Sequence, residues 1–117
     1  MNVTRTFDLL ERFAEFPEKM DALCGKQNGT WIKFSSTEYI EYSNYFSYGL
    51  LELGFRRGDK ILTISNSRPE WNFADLGIAM IGAIHVPVFT SLNSLEYQHI
   101  ITHSDATGII ISDKKIY

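Results

Sequence analysis

Two histidines, His99 and His103, stand four positions apart in a stretch with helical periodicity, so both imidazoles can face one metal ion. Position 100 is isoleucine, where a helical zinc-protease motif carries its glutamate, and the only candidates for a third ligand are the nearby Asp105 and the distant His85. The pair therefore reads as two part-exposed helix residues, with His103 near a C-terminus where the helix dipole favours a cation. Cys24, the single cysteine, lies in an apolar run and reads as a small buried hydrophobe rather than a reactive thiol. Ser65 and Ser67 lack the glycine-flanked elbow of a serine nucleophile. Arg68 and Glu70 are placed for a polar contact at a helix start, structural or solvent-facing in kind. Tyr39, Tyr42, Tyr45 and Tyr48 recur in steps of three, which drift around a helix and make no single stacking face.

Phosphate chemistry needs glycines that let backbone amides approach the ligand. The turn after the first parallel strand is Asn66-Ser67-Arg68-Pro69, which matches neither the dinucleotide fingerprint nor the P-loop. Gly77 and Gly82 fall within or at the end of a helix, where close packing is the expected role. No catalytic, cofactor-binding or metal-binding residue is assigned to the chain.

The elements that position these residues follow from punctuation and periodicity. Thr6 is expected to cap a first helix with Leu9, Leu10, Phe13 and Phe16 at helical spacing, ended by Pro17. Ala22-Leu23-Cys24 and Thr30 to Phe34 flank Asn28-Gly29, a strong hairpin signal. Ser35 and Glu38 have the spacing of a capping box, and Tyr39, Tyr42, Phe46, Leu50 and Leu53 form the expected apolar face of a second helix ending at Gly54. Lys60 to Ser65 reads as a buried parallel strand, Pro69 as the first turn of a third helix, and Ile84 to Phe89 as the next strand, with Pro87 near its end. Ser94 and Leu95 open a fourth helix reaching about His103, and Thr107 to Ser112 is a last strand. Strands alternating with helices imply an α/β fold: a parallel βαβαβ sheet with right-handed crossovers, preceded by an N-terminal helix and a β-hairpin.

With 117 residues, 44% of them hydrophobic, the chain suits one domain without an internal boundary. A net charge of -3 with dispersed Lys and Arg excludes a nucleic-acid footprint. The longest apolar stretch, Ile78 to Pro87, is interrupted by Gly82 and His85 and is too short to span a bilayer. No secretory signal opens the chain, and the expected location is cytoplasmic.

Four ordered pieces resemble the N-terminal portion of AMP-forming long-chain fatty acid–CoA ligases, in the adenylate-forming family. They are Phe7-Asp8-Leu9-Leu10 with Trp31 and Ser36-Thr37-Glu38-Tyr39; Gly54-Phe55-Arg56-Arg57-Gly58-Asp59-Lys60-Ile61; Asn66-Ser67-Arg68-Pro69-Glu70-Trp71; and Gly82-Ala83-Ile84-His85-Val86-Pro87-Val88 with Glu96 through Ser112. The resemblance implies a reaction in which ATP and a carboxylate give an acyl-adenylate, and coenzyme A then takes the acyl group. It also implies a Ser/Thr/Gly-rich phosphate loop ending in lysine, a magnesium ligand and a mobile C-terminal domain. None of these precedes Tyr117, so no family catalytic residue maps onto this chain. The resemblance casts Gly54, Gly58 and Asp59 as turn-formers, Trp71 as a packing anchor and Pro87 as a strand-end shaper. On this reading the chain is an inactive structural portion with no cofactor of its own; ATP, Mg and coenzyme A belong to the parent enzyme. Its expected partners are the remainder of the parent polypeptide and further copies of itself.

Two other readings compete. A receiver-like module needs an acidic pair at the end of its first strand, where this chain has Ser65-Asn66, and a flavodoxin-like module needs a small-residue phosphate loop there. A scaffold fragment that self-associates through exposed apolar surface is the third.

Overall fold

The computed structural model describes residues 2–114. Element order is α1 (Asp8–Ala14), β1 (Leu23–Gln27), β2 (Thr30–Phe34), α2 (Ser36–Glu52), β3 (Lys60–Ile64), α3 (Pro69–Met80), β4 (Ile84–Val88), α4 (Ser94–Ser104) and β5 (Gly108–Ile111). The α/β reading from sequence holds: β4, β3 and β5 form a parallel sheet in that spatial order, and β1 and β2 form a separate antiparallel hairpin. In the sheet Ile61 lies opposite His85 and Gly108, and Thr63 opposite Pro87 and Ile110.

The middle strand carries the core. Ile61, Leu62, Thr63 and Ile64 are all buried, as a parallel strand covered on both faces must be. Ile61 packs with Leu50 of α2 and Ile78 of α3. The outer strand β4 tolerates a proline because of its pairing phase: the Ile84 N–H donates to the Asp59 carbonyl. Residues alternate in direction, so the Pro87 nitrogen points away from β3 and breaks no ladder bond.

The buried stripe of α2 matches the face expected from spacing only in part: Leu50 is in the core with Phe46 packed against it. Ser43, Ser47 and Leu50 are buried, whereas Leu53 is 77% exposed and Tyr42 is also exposed. Close approach of α3 is the cause. A Cβ on Gly77 would come 2.9 Å from Phe46 Cβ and 3.2 Å from the Ser43 carbonyl oxygen, so position 77 of α3 has room for glycine alone. The serine hydroxyls are satisfied within the helix: Ser43 donates to the Tyr39 carbonyl at 2.7 Å and Ser47 to the Asn44 carbonyl at 2.7 Å. Phe73 of α3 then collects the displaced rings, with Phe34, Tyr39 and Tyr42 all within 6 Å of it.

Element ends follow the punctuation closely. Ser35 and Glu38 form the reciprocal capping box. Gly54 takes φ 96° beyond the end of α2, and the Phe55 and Gly54 N–H groups return to the Leu50 and Leu51 carbonyls. At the hairpin turn Asn28 and Gly29 both have positive φ, as a two-residue turn of this type needs. α4 opens at Ser94 and Leu95 as expected, and Asn93 caps it in a second capping box with Glu96.

Three expectations near the N-terminus are corrected. Thr6 is not a cap: Phe7 occupies that position without a side-chain bond. Asp8 instead organises the turn, accepting from the Thr4 and Arg5 N–H groups and from the Arg5 guanidinium. Of the expected apolar set, Leu10 is buried, but Leu9, Phe13 and Phe16 are exposed; Phe13 stacks on Tyr39, and Phe16 lies beyond the end of α1 at Ala14. Cys24 is exposed, not buried, because β1 alternates and its side chain falls on the outward face of a two-stranded ribbon.

Candidate functional site

Doubly wound sheets bind ligands beyond the carboxyl ends of their strands, so the turn between β3 and α3 is the place to look. Two recesses meet there. One, of about 340 Å³, opens between Gly25, Lys26 and Phe34 of the hairpin and Asn66, Arg68 and Glu70 of the turn. The other, of about 220 Å³, lies beside Thr63, Ser65, Trp71 and Ser112 and shares Arg68 and Glu70. The turn is tied to the end of β5, since the Asn66 N–H donates to Ser112 Oγ at 3.2 Å.

Arg68 Nε donates to Glu70 Oε2 at 2.8 Å, with both side chains more than a third exposed. The hydrogen bond from Arg68 holds the Glu70 carboxyl below its ordinary range, against a smaller opposing effect of burial. The same bond raises the Arg68 guanidinium. At this exposure the pair orients the turn and adds little stability.

These residues do not fit a triphosphate. The first residue of α3 is Pro69, which has no N–H to offer. The hairpin also rests on that proline, since a Cβ at Gly25 would come 2.8 Å from Pro69 Cδ. The cationic side chain of the turn is already paired, and its partner brings a negative charge to the recess.

Beneath the turn lies a polar relay absent from the expectations. His85 Nε2 is 2.7 Å from Thr63 Oγ1, His85 Nδ1 is 2.7 Å from Asp75 Oδ1, and the Trp71 ring tilts over the imidazole at 5.2 Å. The Asp75 carboxylate accepts from Nδ1, and the Thr63 hydroxyl can serve Nε2 either as donor or as acceptor. The order is that of a hydroxyl–imidazole–carboxylate triad, but Thr63 is only 1% exposed even beside the second recess, which leaves its hydroxyl no open face for attack on an acyl group. The relay therefore cross-links β3, β4 and α3. Its members are separated by ten and twenty-two positions, so spacing gave no sign of it. The one available signal was a histidine inside the apolar strand Ile84–Val88.

The residues singled out from sequence do not converge. His99 and His103 lie on α4 with their rings stacked at 5.5 Å, apart from His85 in the relay. No group of three His, Cys, Asp or Glu side chains among the described residues is arranged to hold a metal ion. Asp105 adopts the left-handed conformation at the end of α4. Ser65 donates to the Asn66 carbonyl, and Cys24 lies on the hairpin. Tyr39 is half-buried, while Tyr42, Tyr45 and Tyr48 are exposed, so the four share no face. Burial, and then the charge of Asp75, push the Tyr39 phenol up.

The sequence profile of the AMP-binding enzyme family matches residues 10–116. The chain belongs to this family. Among curated relatives, a long-chain-fatty-acid–CoA ligase of Mycobacterium bovis is 27% identical over 79 residues, covering 68% of this chain and 13% of that protein. The 4-hydroxybutyrate–CoA ligase 2 of Metallosphaera sedula is 34% identical over 105 residues, covering 89% of this chain and 18% of that protein. Among solved structures, IdnL1 superposes with a TM-score of 0.86 at 17% identity, covering 97% of this chain and 23% of that one. The N-terminal subdomain of Klebsiella oxytoca NpsA, in complex with 3-hydroxyanthranilyl-AMSN, gives 0.80 at 18% identity, covering 98% of this chain and 28% of that one. These likenesses establish the fold, an N-terminal part of the adenylate-forming architecture. As a member of the AMP-binding family, the chain spans less than a fifth of either curated relative. Among the described residues no helix is long and apolar enough to cross a membrane.

Proposed function

We propose that this chain is the N-terminal structural portion of an ATP-dependent long-chain fatty acid–CoA ligase, and that it is inactive alone. The observation that carries this reading is the family match over residues 10–116, in a chain whose aligned part covers 13% of its long-chain ligase relative. The absence of fit between the β3–α3 turn and a triphosphate supports it: the chain supplies scaffold, while ATP, Mg and coenzyme A are held by the remainder of the parent polypeptide. Residues 1–117 act as one part of the AMP-binding domain, and the exposed apolar surface is where the remainder, or another copy, packs.

The purified 117-residue chain, given ATP, Mg, palmitate and coenzyme A, is expected to yield no acyl-CoA and no ATP–pyrophosphate exchange above a protein-free blank. Steady turnover by the chain alone would overturn the proposal. A polypeptide extended by the reading frame downstream of Tyr117 is expected to convert palmitate in preference to 4-hydroxybutyrate. The opposite preference would keep the ligase and remove the long-chain assignment.

A further inference from the structure

We propose that His99 and His103 form a two-donor surface chelate for a borderline divalent transition metal such as Ni²⁺, Cu²⁺ or Zn²⁺, with water completing the coordination. The proposal is independent of the ligase reading. Both side chains are exposed on α4, and their rings are nearly parallel, 10° apart with centroids at 5.5 Å. Neither ring has a hydrogen-bond partner among the described residues. His85, by contrast, has both ring nitrogens engaged and is closed to a metal.

Ligand chemistry and reach agree. Two imidazole nitrogens select Cu²⁺, Ni²⁺ and Zn²⁺ over Mg²⁺ or Ca²⁺, which require oxygen donors. Two ligands at about 2.1 Å from one ion, at a right angle, stand about 3 Å apart. Rotating the two exposed rings toward each other about their side-chain torsions reaches that separation from parallel rings one helical turn apart. The carboxylate one turn earlier, Glu96, is committed to the Asn93 N–H and leaves the pair as the donor set.

The place of the pair gives the chelate a consequence for the fold. Helix α4 has no fully buried residue: Tyr97, Ile100 and Ile101 are half-buried, the Tyr97 hydroxyl donates to the Phe89 carbonyl, and the Asn93–Glu96 capping box fixes its start, while its last turn ends at the left-handed Asp105. An ion bridging positions 99 and 103 closes the last full turn covalently in effect, and holds the helix against fraying into the loop before β5. Binding to the folded helix and not to the unfolded chain raises its stability in proportion to metal occupancy.

Titration calorimetry with NiCl₂ on the full chain tests this, in a Cys24→Ser background that removes the exposed thiol. One saturable Ni²⁺ per chain is expected, with no heat from MgCl₂ or CaCl₂. His99→Asn and His103→Asn are each expected to weaken binding at least about tenfold, because the second donor of a chelate joins intramolecularly. The pair Gln98→His/His103→Asn keeps two histidines but places them at adjacent positions that do not face each other, and it is expected to bind no better than a single-histidine variant. Hydrogen exchange should slow in residues 99–104 on Ni²⁺ addition in the parent and not in that variant. Undiminished Ni²⁺ uptake by the double variant His99→Asn/His103→Asn, or equal affinity with the histidines adjacent, would overturn the proposal.

Discussion

Protonation of Asp8 is expected to release the N-terminal segment. Its carboxylate accepts from the Thr4 and Arg5 N–H groups, the Thr4 hydroxyl and the Arg5 guanidinium. The Arg5 hydrogen bond holds it well below the usual carboxylate range despite burial. A carboxyl lowered in the folded state contributes stability in full above its unfolded value of about 3.9, and loses it as pH falls toward the lower folded value. Urea midpoints should therefore be flat in Asp8 content near neutrality and decline below about pH 4, and Asp8→Asn should flatten that acid limb. An unchanged limb in the variant would show that Arg5–Asp8 does not anchor the segment. The relay makes a second residue-scale prediction. Thr63→Val strips the His85 Nε2 of its buried partner and should cost about 1–3 kcal/mol. Adding His85→Phe should cost less than the sum of the two single losses, because the unpaired atom is then gone. Strict additivity in a double-mutant cycle would count against a coupled Thr63–His85–Asp75 unit.

Glycines separate the roles of backbone and packing at the scale of the helix. Gly77→Ala drives a methyl into Phe46 and the Ser43 carbonyl, and should destabilise by about 1–3 kcal/mol through overpacking. Gly49→Ala, in the same helix pair but with nothing within 4 Å of the new methyl, should instead stabilise by about 0.5–1 kcal/mol through helix propensity. Thermal unfolding of the two variants side by side reads the contrast, and a Gly77→Ala variant as stable as the parent would mean the seam is looser than described. The same seam explains what was and was not legible in the sequence. Ser35 with Glu38, Asn28-Gly29, Gly54 and Pro69 act locally, through bonds to residues a few positions away, and each was readable. The inward face of α2 was readable only in part. Of the residues periodicity points to, Leu50 is buried and Phe46 packs on the core, but Tyr42 and Leu53 stay outside while Ser43 and Ser47 are buried, and the close approach of α3 is set by Gly77, thirty-four positions beyond Ser43. Cys24 misled for a related reason: an apolar run in a two-stranded ribbon has one face with nothing behind it.

For the whole molecule, the family and the parallel α/β sheet were legible because ordered motifs at fitting spacing encode topology, whereas the spatial order β4-β3-β5 was not read. The relay was not, because it joins β3, α3 and β4 through single side chains. Phe16, Met20, Trp31, Leu53, Phe89 and Leu95 are each more than half exposed, which offers apolar area for association between copies. Sedimentation velocity should accordingly show association growing with concentration, reduced by the pair Leu53→Lys and Phe89→Lys. A single monomer species at the highest soluble concentration would refute that expectation. The two flanks of the sheet, finally, are unequal. On the β4 side the outward-facing row lacks a donor at Pro87, whereas on the β5 side the Thr107 N–H turns inward to Lys60, leaving the alternating amides of Gly108 and Ile110 free to recruit a neighbour. A strand added to this sheet would therefore find a fuller row of donors alongside Gly108–Ile111 than on the flank that Pro87 interrupts.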